Sequence, residues 1–237
     1  MIDTHAHLDM LDDGAVARAR EAGVTRILTI GADEAVALAD AHDDVYAVVG
    51  IHPHEAAGDH DLGRIRELLA HPKAVAVGEI GLDYFRDYAP HDAQQRLFAA
   101  QLDLARDTGK PVVVHTRDAD ADTRAALERF DGTVVLHCFS SPHLLPTAIE
   151  RGWYVSFAGN VTYKNAGDLR LAATQVPAGR LLAETDCPYL APQPVRGKRN
   201  EPAYVVHTLE SLAHARRADL RELEAQIERN ATACFGL

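Results

Sequence analysis

Residues 1–9, MIDTHAHLD, open the chain with the pattern around which the rest is organised. The segment predicts a very short β-strand, and its two histidines, His5 and His7, are two residues apart. Because side chains at positions i and i+2 of a strand point to the same side, the two imidazole rings face one side together. Histidine is the commonest neutral metal ligand, so the pair is half of a candidate metal site. In a chain with 13 histidines the pair is a weak signal by itself. A metal site requires further ligands at positions that the fold brings close to this pair.

The rest of the chain alternates short apolar segments with helical ones. After the strand that begins at Ile2, further strands are predicted at residues 26–30, 45–49, 74–77, 111–115, 133–137, 153–157 and 180–186. Helices are predicted at residues 12–22, 33–40, 62–69, 91–108, 121–130, 144–151, 169–174, 203–215 and 219–234. Apolar strands that alternate with helices are typical of parallel strands buried on both faces. Eight such units in 237 residues predict an α/β fold, a (β/α)8 TIM barrel that forms one domain over residues 1–237.

A doubly wound open sheet is the alternative architecture for the same alternation. Such sheets commonly carry a Gly-rich phosphate-binding loop after the first strand. No such loop follows residues 1–9, so the closed barrel is favoured.

The composition limits the partners and the compartment. The formal net charge of −11 argues against binding of nucleic acid through a broad basic surface, but not against metal ions that hold phosphates in a local pocket. The three cysteines are too few and odd in number for a disulfide framework, and they fit a reducing compartment. No apolar run has membrane-spanning length, and the charge of Asp3 so near the start predicts no signal peptide. A cytoplasmic protein without membrane contact is therefore expected.

The polar residues at the predicted strand ends indicate a metal centre. In a (β/α)8 barrel the active site lies at the carboxyl ends of the strands. The residues of ligand type at these ends are His5, His7, Glu79, His115, His137 and Asp186. Taken singly, each is explained as a hydrogen-bonded histidine, a helix cap or an ion-pair member. Taken together at one edge of the barrel, they would leave costly buried polar groups unless divalent metal ions bound them.

Several stretches resemble one known family nearly end to end. These are DTHAHLD (3–9), GIHPH (50–54), GEIGLDY (78–84), the QxxFxxQ pattern (95–101), VHTRDA (114–119), HCFS (137–140), ETDCPYLAP (184–192) and RGKRNEP (196–202). Together they resemble the TatD-type metal-dependent hydrolases, the TatD DNase family of the amidohydrolase-like barrels. The chain departs from the usual pattern at Ser141, where Gly is common, and at Cys187, where Ser or Ala is common. Neither departure removes a ligand.

The resemblance implies how the ligands divide between two divalent ions, with Mg, Mn and Zn as the candidates. His5, His7 and Asp186 would hold one ion, and His115 and His137 would hold the other. Glu79 would bridge the two, since a neutral side chain could not hold two dications close together. Two such ions activate a water molecule for attack on phosphorus. Asp186 is then the candidate general base, which makes Asp186 and Glu79 the predicted catalytic residues.

Four polar side chains near the same edge are candidate substrate contacts. His52 and His54 follow the third strand, and the alternative for both is a plain turn. Arg117 and Arg199 could bind phosphate oxygens, and the alternative for both is solvated loop charge.

Other residues beside the ligands have weaker assignments. Asp83 and Tyr84 follow the predicted bridging glutamate and are further candidate substrate contacts, with helix capping and packing as the alternative. Asp3 is expected to orient a histidine ligand. A thiol nucleophile at Cys138 or Cys187 is disfavoured, because each is explained as a small buried residue beside a ligand.

The function predicted from these features is metal-dependent hydrolysis of phosphodiesters. The resemblance implies a deoxyribonuclease, with 3′–5′ exonuclease action on single-stranded DNA as the favoured form. The chain is expected to be a monomer that binds DNA weakly as substrate. One alternative is hydrolysis of a carboxylic ester or amide, such as an aminoacyl-tRNA ester, by the same site. Another is a non-enzymatic scaffold that keeps metal as structure, which the mixed, cysteine-free ligand set disfavours.

Overall fold

Eight parallel strands form the centre of the fold in the computed structural model, which describes residues 1–86 and 88–237. Each strand pairs with the next along the chain. The strands are β1 (Ile2–Ala6), β2 (Arg26–Gly31), β3 (Val45–Val49), β4 (Ala74–Asp83), β5 (Val112–Arg117), β6 (Val134–Leu136), β7 (Tyr154–Phe157) and β8 (Leu181–Ala183). The sheet curves until the segment after β8 meets β1, where the His7 N–H donates to the Cys187 carbonyl oxygen (2.9 Å). The predicted (β/α)8 barrel is confirmed.

Helices cover the outside of this sheet. Within the described residues they are α1 (Ala15–Glu21), α2 (Asp33–Ala41), α3 (Leu62–Leu69), α4 (His91–Thr108), α5 (Asp120–Leu127), α6 (Leu145–Arg151), α7 (Gly167–Gln175), α8 (Val205–Arg216) and α9 (Leu220–Phe235). Their ends differ from the predicted ones by at most three residues. The core lies between helices and strands and includes the fully buried Leu28, Val114 and Leu136. In the part of the chain that the structure describes, no helix is long and apolar enough to span a membrane.

Strand β4 is longer than predicted and carries part of the site within it. The sequence predicts a strand that ends at residue 77, whereas β4 continues to Asp83, with Gly81 paired to His115 and Leu82 to Thr116 of β5. Gly81 has φ +138°, and a Cβ atom there would lie 2.0 Å from the His115 carbonyl oxygen. Only glycine fits this conformation and this close approach. Gly81 is therefore what allows β4 to continue beside β5.

Strand β8 is shorter than predicted and bends at its carboxyl end. It ends at Ala183, and Asp186 has a left-handed backbone with φ +54°. The Asp186 N–H donates to the His5 carbonyl oxygen (3.0 Å), so the segment after β8 still adjoins β1. Left-handed backbone at a non-glycine residue is uncommon and concentrates at functional sites.

Asp3 closes the barrel between β1 and the segment after β8. Its carboxylate accepts hydrogen bonds from the Thr185 N–H (2.9 Å), the Thr185 hydroxyl (2.5 Å) and the His5 N–H (3.3 Å). Burial raises the pKa of Asp3 to about 7, against these hydrogen bonds. Asp3 thus contacts the predicted ligand His5 through the backbone N–H and not through the imidazole ring, so it holds the segment that carries this histidine.

Two buried glutamines of α4 fix the carboxyl ends of β3 and β4. The Gln101 amide accepts from the Ile51 N–H (2.8 Å) and donates to the Ile51 carbonyl oxygen (2.9 Å). The Gln94 amide does the same with the N–H (2.8 Å) and carbonyl oxygen (3.0 Å) of Asp83. Each glutamine satisfies backbone groups where a strand ends and the site begins.

Candidate metal centre

Glu79 lies at the centre of the predicted ligand set, and its two oxygens face different histidines. Its Oε2 is 3.3 Å from His5 Nε2 and 3.8 Å from His7 Nε2. Its Oε1 is 2.8 Å from both His115 Nδ1 and His137 Nε2. The carboxylate thus lies between two histidines at the carboxyl end of β1 and two at the carboxyl ends of β5 and β6.

Asp186 adds a second carboxylate on the side of β1. Its Oδ1 is 3.8 Å from His5 Nε2 and 3.7 Å from His7 Nε2. The structure therefore brings together all six residues that the strand ends predict. Ligand atoms in the groups His5–His137–Asp186 and His5–His7–Glu79 lie within 4.8 Å of one another.

His5 provides a test of whether metal fits this site. It is fully buried, and among residues 1–86 and 88–237 neither of its ring nitrogens has a hydrogen-bond partner. A buried polar atom without a partner costs free energy that a bound cation would recover. Burial lowers the pKa of His5 to about 4, and burial also lowers the pKa of His7. Both rings are therefore neutral near pH 7, which is the form that binds metal.

The pKa values of the two carboxylates, Glu79 and Asp186, also fit a site that binds a cation. Burial would raise the pKa of Glu79, but the charges of His137 and His52 and hydrogen bonds from His115 and His137 hold it well below its usual value. Burial raises the pKa of Asp186 to about 8, against the opposing charge of His137 and together with the charge of Glu79. A pocket that disfavours a second negative charge is one that a divalent cation would complete.

Glu184 supports the ring of His137, a role that the sequence analysis did not assign. Its Oε1 lies 3.1 Å from His137 Nδ1 and accepts from the Cys138 N–H (2.7 Å). The ring is thereby held with its other nitrogen toward Glu79. A carboxylate that binds the second nitrogen of a metal-binding histidine fixes its orientation. The available signal was that Glu184 precedes Asp186 by two residues.

His52 and His54 lie beside the centre, as predicted for residues after β3. His52 Nε2 is 3.3 Å from Glu79 Oε1, and His52, Glu79 and His115 form a third group of clustered ligand atoms. His54 Nε2 is 2.9 Å from Asp83 Oδ2. Their contact with substrate stays a prediction.

Asp83 is placed to support histidines. It is 1% exposed, and its Oδ2 lies 3.0 Å from His115 Nε2 as well as 2.9 Å from His54 Nε2. Its Oδ1 accepts from the backbone N–H groups of Phe85 (3.0 Å) and Arg86 (2.9 Å). Both oxygens of Asp83 therefore have partners within the protein, and its contact with substrate stays a prediction.

The other predicted substrate contacts have partners of their own. The Tyr84 hydroxyl donates to Asp122 (2.8 Å), which ties it to α5 and favours packing. The Arg117 guanidinium lies 3.8 Å from the centre of the Phe85 ring. Arg199 donates to the Met10 carbonyl oxygen. The two arginines stay candidates for phosphate binding.

The cysteines beside the ligands lack the lowered pKa of a reactive thiol. Cys138 and Cys187 are free thiols, and burial raises the pKa of both well above the usual value. Since the thiolate is the reactive form, the disfavoured thiol mechanism gains no support.

The barrel and its cluster of histidines and carboxylates define a metal-dependent protein, and comparisons name its family. The profile of the family described as TatD related DNase matches residues 2–236. The uncharacterized metal-dependent hydrolase YabD of Bacillus subtilis is 37% identical over an alignment of 251 positions, which covers 99% of this chain and 98% of that protein. The chain belongs to the TatD related DNase family and is a metal-dependent hydrolase.

Two further relatives have informative names or structures. The 3′-5′ ssDNA/RNA exonuclease TatD of Enterobacter lignolyticus is 37% identical over an alignment of 242 positions, which covers 95% of this chain and 93% of that protein. The solved structure of YjjV, a TatD homolog from Escherichia coli K12, matches with a TM-score of 0.94 at 30% identity. That match covers 100% of this chain and 98% of the other.

Proposed function

We propose that this chain is a phosphodiesterase that uses two divalent metal ions to remove nucleotides from the 3′ end of single-stranded DNA. The observation that carries the proposal is the position of Glu79, with one oxygen toward His5 and His7 and the other toward His115 and His137. The name of the Enterobacter relative, a 3′-5′ ssDNA/RNA exonuclease, supports the same substrate class.

The residues divide as follows in this proposal. His5, His7 and Asp186 would hold one ion, His115 and His137 would hold the other, and Glu79 would contribute to both. When bound, two divalent ions make water more acidic and stabilise negative charge on the phosphate oxygens. Two dications outweigh the two carboxylates, so the site keeps a positive charge that suits an anionic phosphodiester.

Asp186 is the proposed general base. Its side chain is 14% exposed whereas that of Glu79 is 4% exposed, so Asp186 is the carboxylate that solvent can reach. With a cation to offset the burial that raises its pKa, Asp186 would be ionised and could orient the attacking water and accept its proton. The bond from phosphorus to the sugar oxygen would break on the opposite side, and that oxygen would take up a proton from solvent. Glu184 and Asp83 act through His137 and His115, whose rings they hold in place.

The test is hydrolysis of a 5′-labelled single-stranded oligonucleotide by protein that has been stripped of metal and then supplied with Mn²⁺, Mg²⁺ or Zn²⁺. We expect a metal-dependent ladder that shortens from the 3′ end and is absent in Asp186→Asn. Full-length oligonucleotide under every metal, together with turnover of a carboxylic ester, would replace the proposal with the ester-hydrolase alternative.

A further inference from the structure

Exposed aromatic side chains concentrate at the mouth of the barrel. Among the described residues, the large hydrophobic side chains that are exposed are Met10 (40%), Phe85 (54%), Tyr88 (63%), Ile149 (37%), Leu171 (60%) and Tyr189 (52%). Met10 follows β1, Phe85 and Tyr88 follow β4, and Tyr189 follows β8, so these four lie on loops at the end of the barrel that carries the metal ligands. Every aromatic ring in the set is at this end.

Two of these rings contact histidines, one in the predicted ligand set and one beside it. The Tyr189 ring lies 6.0 Å from the His7 ring, centre to centre, at 76°. The Tyr88 ring lies 4.8 Å from the His54 ring at 84°. In the ring of strands, β4 and β8 are four positions apart, so the two tyrosines approach the centre from opposite sides. Each keeps more than half of its surface open to solvent.

Phe85 extends the β4 side and is paired with a cation. The Arg117 guanidinium lies 3.8 Å from the centre of its ring, yet the side chain is still 54% exposed. A second guanidinium, that of Arg86, lies 5.8 Å from the centre of the same ring. The exposed part of the Phe85 side chain is open to a further stacking partner, and the two guanidinium groups place positive charge beside it.

We propose that Tyr189 on one side, and Tyr88 with Phe85 on the other, stack against unpaired nucleobases on either side of the phosphate that the metal centre holds. This inference rests on the proposed function for its substrate class. A net charge of −11 argues against nucleic-acid binding through a broad basic surface. Base–aromatic stacking supplies affinity of about tenfold or more per base and tolerates any sequence. A cationic pocket between two aromatic surfaces complements one phosphate with a base on each side.

Single strands fit these surfaces better than duplexes do. In a duplex the bases are already stacked on one another and their faces are closed to side chains. An unpaired end has free base faces, and its bases can turn toward the aromatic rings. The aromatic surfaces therefore select single strands without reading their sequence.

The test compares a fluorescent (dT)6 with an oligomer of the same length in which every nucleotide is abasic. Binding is measured by anisotropy with Ca²⁺ as the divalent ion, and kcat/KM is measured with the ion that supports hydrolysis. We expect wild-type protein to bind (dT)6 about tenfold more tightly than the abasic oligomer. Tyr88→Leu and Tyr189→Leu should each weaken binding of (dT)6 and leave binding of the abasic oligomer unchanged.

Matched variants separate stacking from other losses. Tyr88→Phe and Tyr189→Phe keep the ring and should bind (dT)6 as the wild type does. Leu171→Ala removes an equally exposed apolar side chain on α7, away from the mouth, and should change nothing. Equal affinity of wild-type protein for (dT)6 and the abasic oligomer would overturn the proposal. Equal losses of (dT)6 affinity in the Leu and Phe variants would overturn it too. So would a wild-type dimer that the Leu substitutions dissociate while binding shows no preference for (dT)6 over the abasic oligomer.

The two proposals fail in distinguishable ways. Hydrolysis that is indifferent to bases and to the Leu variants leaves the nuclease function standing and removes the stacking surfaces. Binding that depends on bases and rings, with no hydrolysis under any metal, keeps the stacking surfaces and removes the nuclease function.

Discussion

The buried glutamines of α4 and the buried histidine of β1 show two uses of polar groups in one barrel. Gln101 gives and receives a hydrogen bond with the backbone of Ile51, so its buried amide has partners for both of its polar atoms. His5 is equally buried, yet both of its ring nitrogens lack a hydrogen-bond partner among the described residues. Satisfied buried groups fix the strand ends, whereas unsatisfied ones mark the place where something else binds. The two regions should therefore respond differently to substitution.

The largest expected effect is a loss of turnover in Asp186→Asn without a loss of fold. An amide cannot accept the proton from water, so kcat should fall by at least about 100-fold. The thermal unfolding midpoint of the metal-free protein should stay close to that of the wild type. Steady-state kinetics and thermal denaturation measure the two quantities, and a variant with wild-type kcat would show that Asp186 is not the base.

Glu184→Gln should weaken metal binding through His137. The amide is uncharged and holds the His137 ring less firmly, so metal affinity should fall by about 10- to 100-fold. Competition against a chelator measures this affinity. Glu150, a charged residue of α6 far along the chain from Glu184, provides the control Glu150→Gln, for which we expect unchanged affinity.

Gln101→Leu should lower stability rather than metal affinity. The substitution leaves the N–H and carbonyl oxygen of Ile51 without their partner, at about 1–3 kcal/mol for each group that stays buried. Urea unfolding of the metal-free protein should show a lower midpoint. If Gln101→Leu left stability unchanged and lowered metal affinity, the proposed difference between the glutamines of α4 and the histidine of β1 would be contradicted.

The smallest expected effect concerns a pair at the outer surface, Arg26 on β2 and Glu228 on α9. Burial would raise the pKa of Glu228, but the hydrogen bonds and charges of Arg26 and of the Met1 ammonium group together outweigh it and lower the pKa below its usual 4.5. A lowered carboxyl pKa contributes stability that is fully present above the unfolded-state value and is lost as the pH falls through the folded-state value. Glu228→Gln should therefore cost up to about 1 kcal/mol at pH 7 and less at pH 3. A difference in unfolding free energy that grows toward low pH would contradict this sign.

The alternation of apolar strands and helices was enough to predict the barrel, but not where strands end. The predicted strand ends at residue 77, and only the approach of the β5 backbone to Gly81 shows how β4 continues. The bend at Asp186 depends on a hydrogen bond to β1, which is far away in the sequence. The predicted strand ends are therefore wrong where contacts between segments distant in the sequence determine them.

The ligand set could be predicted because the barrel topology brings strand ends together, whatever the local detail. The supporting carboxylates could not be assigned, since Asp3, Asp83 and Glu184 all lie near ligands and only their contacts tell them apart. The single-domain, monomer and cytoplasm predictions remain predictions.

The most direct measurement of the central claim is the number of divalent ions that each chain binds at saturation, in wild-type protein and in Glu79→Gln. We predict two ions per wild-type chain by equilibrium dialysis with Mn²⁺ and elemental analysis. Glu79→Gln should lose at least one of them while Gln101→Leu keeps both. One ion per wild-type chain at saturation, or two ions retained by Glu79→Gln, would contradict a centre that Glu79 bridges.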